Sequence, residues 1–120
     1  MIVLFIIVAV IVLGLILHFL FPLIQVCGNS MYPTYHDGEI LIGCRLFSKK
    51  RRKVGEVIVY HSPDNKVVIK RIEEVVNSTR GCKLYYCLGD NSDESYDSRY
   101  YGAISSKKLV CRILNQRRKQ

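Results

Sequence analysis

Glu56-Val57-Ile58-Val59-Tyr60, then Ser62-Pro63-Asp64-Asn65, then Lys66-Val67-Val68-Ile69-Lys70-Arg71-Ile72-Glu73-Glu74-Val75-Val76 is the stretch that decides the fold. Two runs rich in β-branched residues flank four residues that favour a turn. The pattern predicts two strands. Outward from this pair, Glu39 to Cys44 predicts a strand upstream, and Lys83 to Leu88 and Lys108 to Leu114 predict two more downstream. Asn77 to Gly81 reads as a turn, and Gly89 to Gly102 as a long polar loop. Short strands punctuated by Gly, Pro, Asn and Asp predict a mainly β, small antiparallel domain. Outside the N-terminal run, no segment has a convincing helical period.

That run, Ile2 to Val26, is apolar apart from Gly14, His18, Pro22 and Gln25. At about 1.5 Å per helical residue it is long enough to cross a hydrocarbon layer of about 30 Å. A cleavable secretory leader would want a basic start, a shorter apolar stretch and a small-x-small exit, and none of these is present. The bulky Ile24-Gln25-Val26 before Cys27 likewise argues against a lipoprotein acceptor. The reading is an uncleaved transmembrane anchor over 1–26, with His18 at the interface. A polar domain follows over 27–116, then a basic tail over 117–120 whose Arg117-Arg118-Lys119 is expected to fray.

No Asp, Glu, Lys or Arg precedes Asp37, so the whole formal charge of +8 belongs to the body. With 120 residues the chain has room for one modest core, which excludes a two-domain enzyme. Lys49-Lys50-Arg51-Arg52-Lys53 reads as a solvated loop. It lies too far from the apolar run to fix topology by the positive-inside rule. Five cysteines (27, 44, 82, 87 and 111) cannot all pair within the chain. Scattered histidines give no metal spacing, so small buried thiols are the simplest reading, with one Cys82–Cys87 bridge open in an oxidising space.

Three segments carry chemistry. Gly28-Asn29-Ser30-Met31-Tyr32-Pro33-Thr34 sets a serine between a flexible pair and a rigid turn, although a plain linker turn has the same composition. In Val67 to Ile72, alternation puts Val68, Lys70 and Ile72 on one face of a strand. A lysine between apolar neighbours is either exposed at an edge or desolvated. Burial lowers its pKa and frees the amine to act as a base. Gly89-Asp90-Asn91-Ser92-Asp93-Glu94-Ser95-Tyr96-Asp97-Ser98-Arg99 reads by itself as a solvated loop with Asx turns, but its hydroxyls and ion pairs are also suited to fixing an amine.

Taken in this order behind an apolar anchor, the segments resemble the type I signal peptidases (leader peptidases), bacterial Ser–Lys type, in a short form. Ser30-Met31-Tyr32-Pro33-Thr34, Gly55-Glu56-Val57-Ile58-Val59-Tyr60, Lys70-Arg71, Gly89-Asp90-Asn91 and Ser95-Tyr96-Asp97-Ser98-Arg99 match that family's successive motifs. The resemblance implies a β-rich catalytic core shared with LexA-like proteins. It implies Ser30 as nucleophile and Lys70 as general base. Ser95 would orient the amine, Asp97 and Arg99 would brace the loop by an ion pair, and Asp90 would support it. The oxyanion would rest on backbone N–H groups, beginning with Ser30. Gly28 stands where some members have a donor serine, and Asn29 is a second option. The Gly-x-x-Gly-Asp stretch that often follows the Lys-Arg pair is replaced by Ile72-Glu73-Glu74-Val75, and the large insert of longer members is absent. The family's branch in the endoplasmic reticulum has histidine where Lys70 stands.

The activity implied is removal of signal peptides from secreted preproteins after small, Ala-x-Ala-like residues, without cofactor, metal or nucleic acid. Met31, Val57, Ile58, Val59 and Tyr60 are candidates for the substrate pockets. Partners would be the signal peptide and the lipid bilayer, with the body held outside the cytoplasm at the plasma membrane. Two other readings stay open. One is a self-cleaving Ser–Lys protein resembling the LexA repressor. The other is a non-catalytic anchored β module with basic patches, which requires Ser30 and Lys70 to be unrelated.

Overall fold

In the computed structural model, which describes residues 1–46, 52–78 and 80–120, the N-terminal apolar run divides in two. Helix α1 (Ile2–Leu20) is exposed along nearly its whole length and is long and apolar enough to cross a membrane. It stops because Pro22 disfavours helical geometry at Phe21, which caps the helix at φ −124° and ψ 71°, outside the helical region. Leu23–Gln25 then forms β1, paired antiparallel with β2 (Ile40–Cys44), Leu23 opposite Ile42. Val26 is buried in the core. The apolar helix thus ends at Leu20, short of the expected stretch 1–26, in which Leu23–Gln25 form the first strand of the sheet.

The remaining strands are β3 (Val57–His61), β4 (Val67–Asn77), β5 (Lys83–Leu88), β6 (Ile104–Ser105) and β7 (Leu109–Ile113). Every pair is antiparallel, in the order β1-β2-β7-β3-β4-β5-β6. The mainly β reading holds, and the predicted strands match to within one residue at each end. The two strands missed, β1 and β6, have three and two residues. They are too short to show alternation and exist because a neighbour completes their ladder. The Gly89–Gly102 loop also contains a 3-10 turn at Ser92–Glu94 and one helical turn, α2 (Ser98–Tyr101), which Asp97 caps by accepting from the Arg99 N–H.

Central strand β3 is buried on both faces. Val57 and Val59 pack with Met31, Tyr35, Leu41 and Ile113, while Ile58 and Tyr60 pack with Ile72, Tyr85, Cys87 and Leu109. Each such side chain contributes roughly 1.5–3 kcal/mol by leaving water, so the two small clusters have to be nearly complete.

One further expectation is corrected, and of the two cysteine readings the one without a bridge holds. The C-terminal residues are tied down: Gln116 bonds the N–H and C=O of Val57, and Arg117 pairs with Glu39 and stacks on Tyr35. All five cysteines are free; Cys44, Cys87 and Cys111 are buried, Cys82 is half-buried and Cys27 is exposed. Cys82 and Cys87 sit at opposite ends of an extended segment, and at about 3.4 Å per residue that separation is several times what a disulfide spans. Of the basic cluster, Lys49, Lys50 and Arg51 lie outside the described residues.

Candidate active site

Ser30 stands on a turn that the chain braces from both sides. Tyr32 N–H donates to Asn29 C=O at 3.1 Å, and Tyr35 N–H to Met31 C=O at 2.9 Å. Upstream, Gly28 takes a positive φ of 86°, and its N–H donates to Asp37 Oδ1 at 2.8 Å. That N–H is thus already used. The Ser30 N–H donates no hydrogen bond among the described residues, so it remains available to an incoming oxyanion.

Lys70 reaches the same place from β4. Strand β3 pairs with β4 from Val67 to Arg71, whereas β5 joins β4 only from Arg71 onward. The edge of Val67–Lys70 turned away from β3 is therefore bare of strand partners among the described residues. Lys70 is only 4% exposed, and its amine has no hydrogen-bond or ion-pair partner among them. Burial holds its pKa below the usual lysine value; the nearby Asp97 charge opposes this and Arg99 reinforces it.

The loop after β5 fastens these two pieces. Arg71 grips Asp90 with two bonds, 2.9 and 2.8 Å, and donates to Gly55 C=O at 2.7 Å. Asn91 N–H donates to Ser30 C=O at 2.8 Å, and Asn91 Nδ2 to Asn29 C=O at 3.0 Å. Gly89 lies where a Cβ would overlap Ser95 Oγ and come within 2.6 Å of Ser30 O. Asp97 is fully buried. It accepts from Ser95 Oγ at 2.6 Å, Gly89 N–H at 2.9 Å and the Arg99 guanidinium at 2.9 and 2.8 Å. Burial alone would raise its pKa, but these bonds, from Arg99, Ser95 and the backbone, hold it far below the carboxylate range.

The Ser95 hydroxyl thus spends its proton on Asp97 and makes no bond to Lys70; its oxygen is left free to accept from an amine. The depressed Asp97 pKa makes its contribution to stability fully present above the unfolded value of about 3.8 and lost as pH falls below it. Asp97→Asn is accordingly expected to cost about 3 kcal/mol in urea unfolding at pH 7, with the gap from the parent closing below pH 4. A gap unchanged at pH 3 would contradict the ionic role.

Ser30 and Lys70 both line a cleft with two lobes of about 190 and 270 Å³. The smaller lies between Ile24, Gln25 and Cys27 on the β1 side and Val67–Ile69 on the bare β4 edge, with Val59 beside them. The larger adds Asn29, Ser62, Asp64, Lys66, Glu94 and Tyr96. Among the pocket candidates, Val59 lines the cleft. Met31, Val57, Ile58 and Tyr60 do not: each is fully buried in the two core clusters, because β3 has sheet on both sides and packing on both faces. Sequence reading missed Ile24, Gln25 and Cys27 because they looked like the end of the anchor. It missed Val67 to Ile69 because only the ladder shows where β5 stops. The run Ile24 to Asn29, directly before the Ser30-Met31 pair, was the one available signal.

The family model for signal peptidase, peptidase S26, matches residues 1–74 and 81–115. The chain belongs to the signal peptidase family. Of the residues outside the match, 75–78 and 80 fall at the end of β4 and the turn into β5 and 116–120 at the C-terminus, and none of these lines the cleft. Signal peptidase I T of Bacillus subtilis (strain 168) is 39% identical over 74 residues, covering 56% of this chain and 36% of that protein. The signal peptidase complex catalytic subunit SEC11 of Lachancea thermotolerans (strain ATCC 56472 / CBS 6340 / NRRL Y-8284) is 36% identical over 75 residues, covering 59% of this chain and 42% of that protein. These alignments span less than half the length of either relative. In this family member Ser30 of the Ser-Met turn and Lys70 of the Lys-Arg strand line one cleft.

Proposed function

We propose that this family member is a serine endopeptidase that removes signal peptides, with Ser30 as nucleophile and Lys70 as general base. The observation that carries the reading is a partnerless, buried lysine opening onto the same cleft as a serine built on an independent turn. Neutral Lys70 takes the Ser30 proton as the hydroxyl oxygen attacks the scissile carbonyl. The Ser30 N–H receives the oxyanion. Lys70 returns the proton to the leaving amine, and water then hydrolyses the acyl-serine with the same base. Asp97 and Arg99 position the loop, and the free acceptor on Ser95 is suited to hold the amine once it is protonated.

An extended peptide fits the bare edge of Val67–Lys70 by strand addition, which supplies main-chain bonds and sends alternate side chains into the lobes. The 190 Å³ lobe, with its Val59, Val67 and Ile69 walls, suits small residues of the Ala type. Anchored by α1 in the plasma membrane with the body outside the cytoplasm, the enzyme would meet substrates confined to the same surface, which raises their effective concentration without added contacts. The non-catalytic module loses ground because Ser30 and Lys70 share one cleft.

The test is cleavage of a labelled preprotein by the detergent-solubilised full chain, with products mapped by mass spectrometry. One cut after a small-x-small sequence is expected. Intact preprotein, or cuts scattered along the mature part, would overturn the reading.

A further inference from the structure

We propose that the pocket where α1 meets the sheet binds the phosphate headgroup of an anionic membrane lipid. Three elements converge there: the last turn of α1 with Phe19 and Leu20, Arg45 just after β2, and the β3–β7 end with His61 and Lys107, enclosing about 530 Å³. It is separate from the Ser30–Lys70 cleft, with which it shares no lining residue.

Depth points to a lipid. The 19 residues of α1, at about 1.5 Å each, nearly match a hydrocarbon layer of about 30 Å. With that helix inserted, Phe19 and Leu20 mark the hydrocarbon boundary, and the polar groups beside them sit at headgroup level.

Charge points to an anion. Arg45 is fixed by its N–H to Leu20 C=O at 2.8 Å and by its guanidinium 4.9 Å from the Phe19 ring centre. Neither Arg45 nor Lys107 has an acidic partner among the described residues. His61 Nδ1 is buried there without a hydrogen-bond partner. The C-terminal dipole of α1 opposes an anion with about half a charge, but two full cations outweigh it, and Arg45 N–H already covers one exposed carbonyl. The apolar walls of Phe19, Leu20 and Leu109 suit the start of an acyl chain, which free phosphate lacks.

The inference requires α1 in a bilayer and does not rest on the peptidase reading, so the test uses binding alone. The full chain in neutral detergent is titrated with phosphatidylglycerol, phosphatidylcholine or inorganic phosphate, and retained adducts are counted by native mass spectrometry. Phosphatidylglycerol is expected to be retained over both others. Arg45→Gln/Lys107→Gln should weaken that retention about tenfold or more, while Arg80→Gln/Lys83→Gln, the same charge loss at the β4–β5 turn, should leave it unchanged. If the first double variant fails to fold, Lys107→Gln alone, at an exposed position, should weaken retention several-fold. Equal retention of phosphatidylcholine, equal loss in both double variants, or binding of inorganic phosphate as tight as that of the lipid would each overturn the assignment.

Discussion

Ser30→Ala and Lys70→Ala are each expected to lower preprotein cleavage by about three orders of magnitude or more, and the double variant by no further factor, because the two groups act as one unit. The acid limb of the rate should report the same amine. Lys70 has a pKa held below 10.5 by burial, so its free-base fraction falls about tenfold per pH unit beneath that lowered value, and kcat/KM should fall with it. A profile flat from pH 7 to pH 5 would remove Lys70 as the base.

Stability should also rise with pH, over a higher window. Between the lowered folded value and 10.5 the unfolded chain binds a proton that the folded chain releases, so unfolding free energy rises with pH across that window. At neutral pH the buried lysine is therefore a burden. Lys70→Met, of similar length and without the amine, should raise the melting temperature by several degrees at pH 7 and by less at pH 10, in step with the loss of activity. A variant both inactive and less stable at pH 7 would mean that Lys70 serves packing.

Gly89→Ala is expected to cost about 3 kcal/mol or more and most of the activity. Its Cβ would overlap Ser95 Oγ and press on Ser30 O at 2.6 Å. Neither neighbour can yield cheaply: Ser95 is bonded to buried Asp97, and Ser30 C=O accepts from Asn91 N–H. Gly102→Ala provides the comparison. Its Cβ would meet nothing within 4 Å, and only its backbone conformation, φ 80° and ψ −175°, penalises a side chain, by about 1–3 kcal/mol. Equal midpoints for the two variants in urea would show that contact at Gly89 is not what excludes a side chain.

Much of this architecture can be read from residue order. The β-branched runs around Ser62-Pro63-Asp64-Asn65 define β3 and β4, and alternation places Lys70 on the face shared with Ile72. The site is less legible, because its key relations are between segments. Nothing local to Gly89 announces that Ser30 O lies beneath it, and nothing in Ile24 to Cys27 distinguishes a cleft wall from the end of a membrane helix. The apolar residues of β3 suit a substrate pocket as well as a core by composition. Burial on both faces separates the two, and that follows from sheet order, which a single sequence does not print.

The join between helix and sheet has its own consequence. Leu20 C=O accepts from Arg45 N–H at 2.8 Å, Pro22 C=O accepts from Gly43 N–H at 2.7 Å, and β1 starts at the next residue. There is no slack tether. If α1 stands in a bilayer, the mouth of the cleft is held at one height above it, and Ser30, the proposed nucleophile, would work as the mark on a ruler. A peptide whose own apolar segment is embedded alongside would then be measured by distance from the lipid as well as by the shape of its side chains.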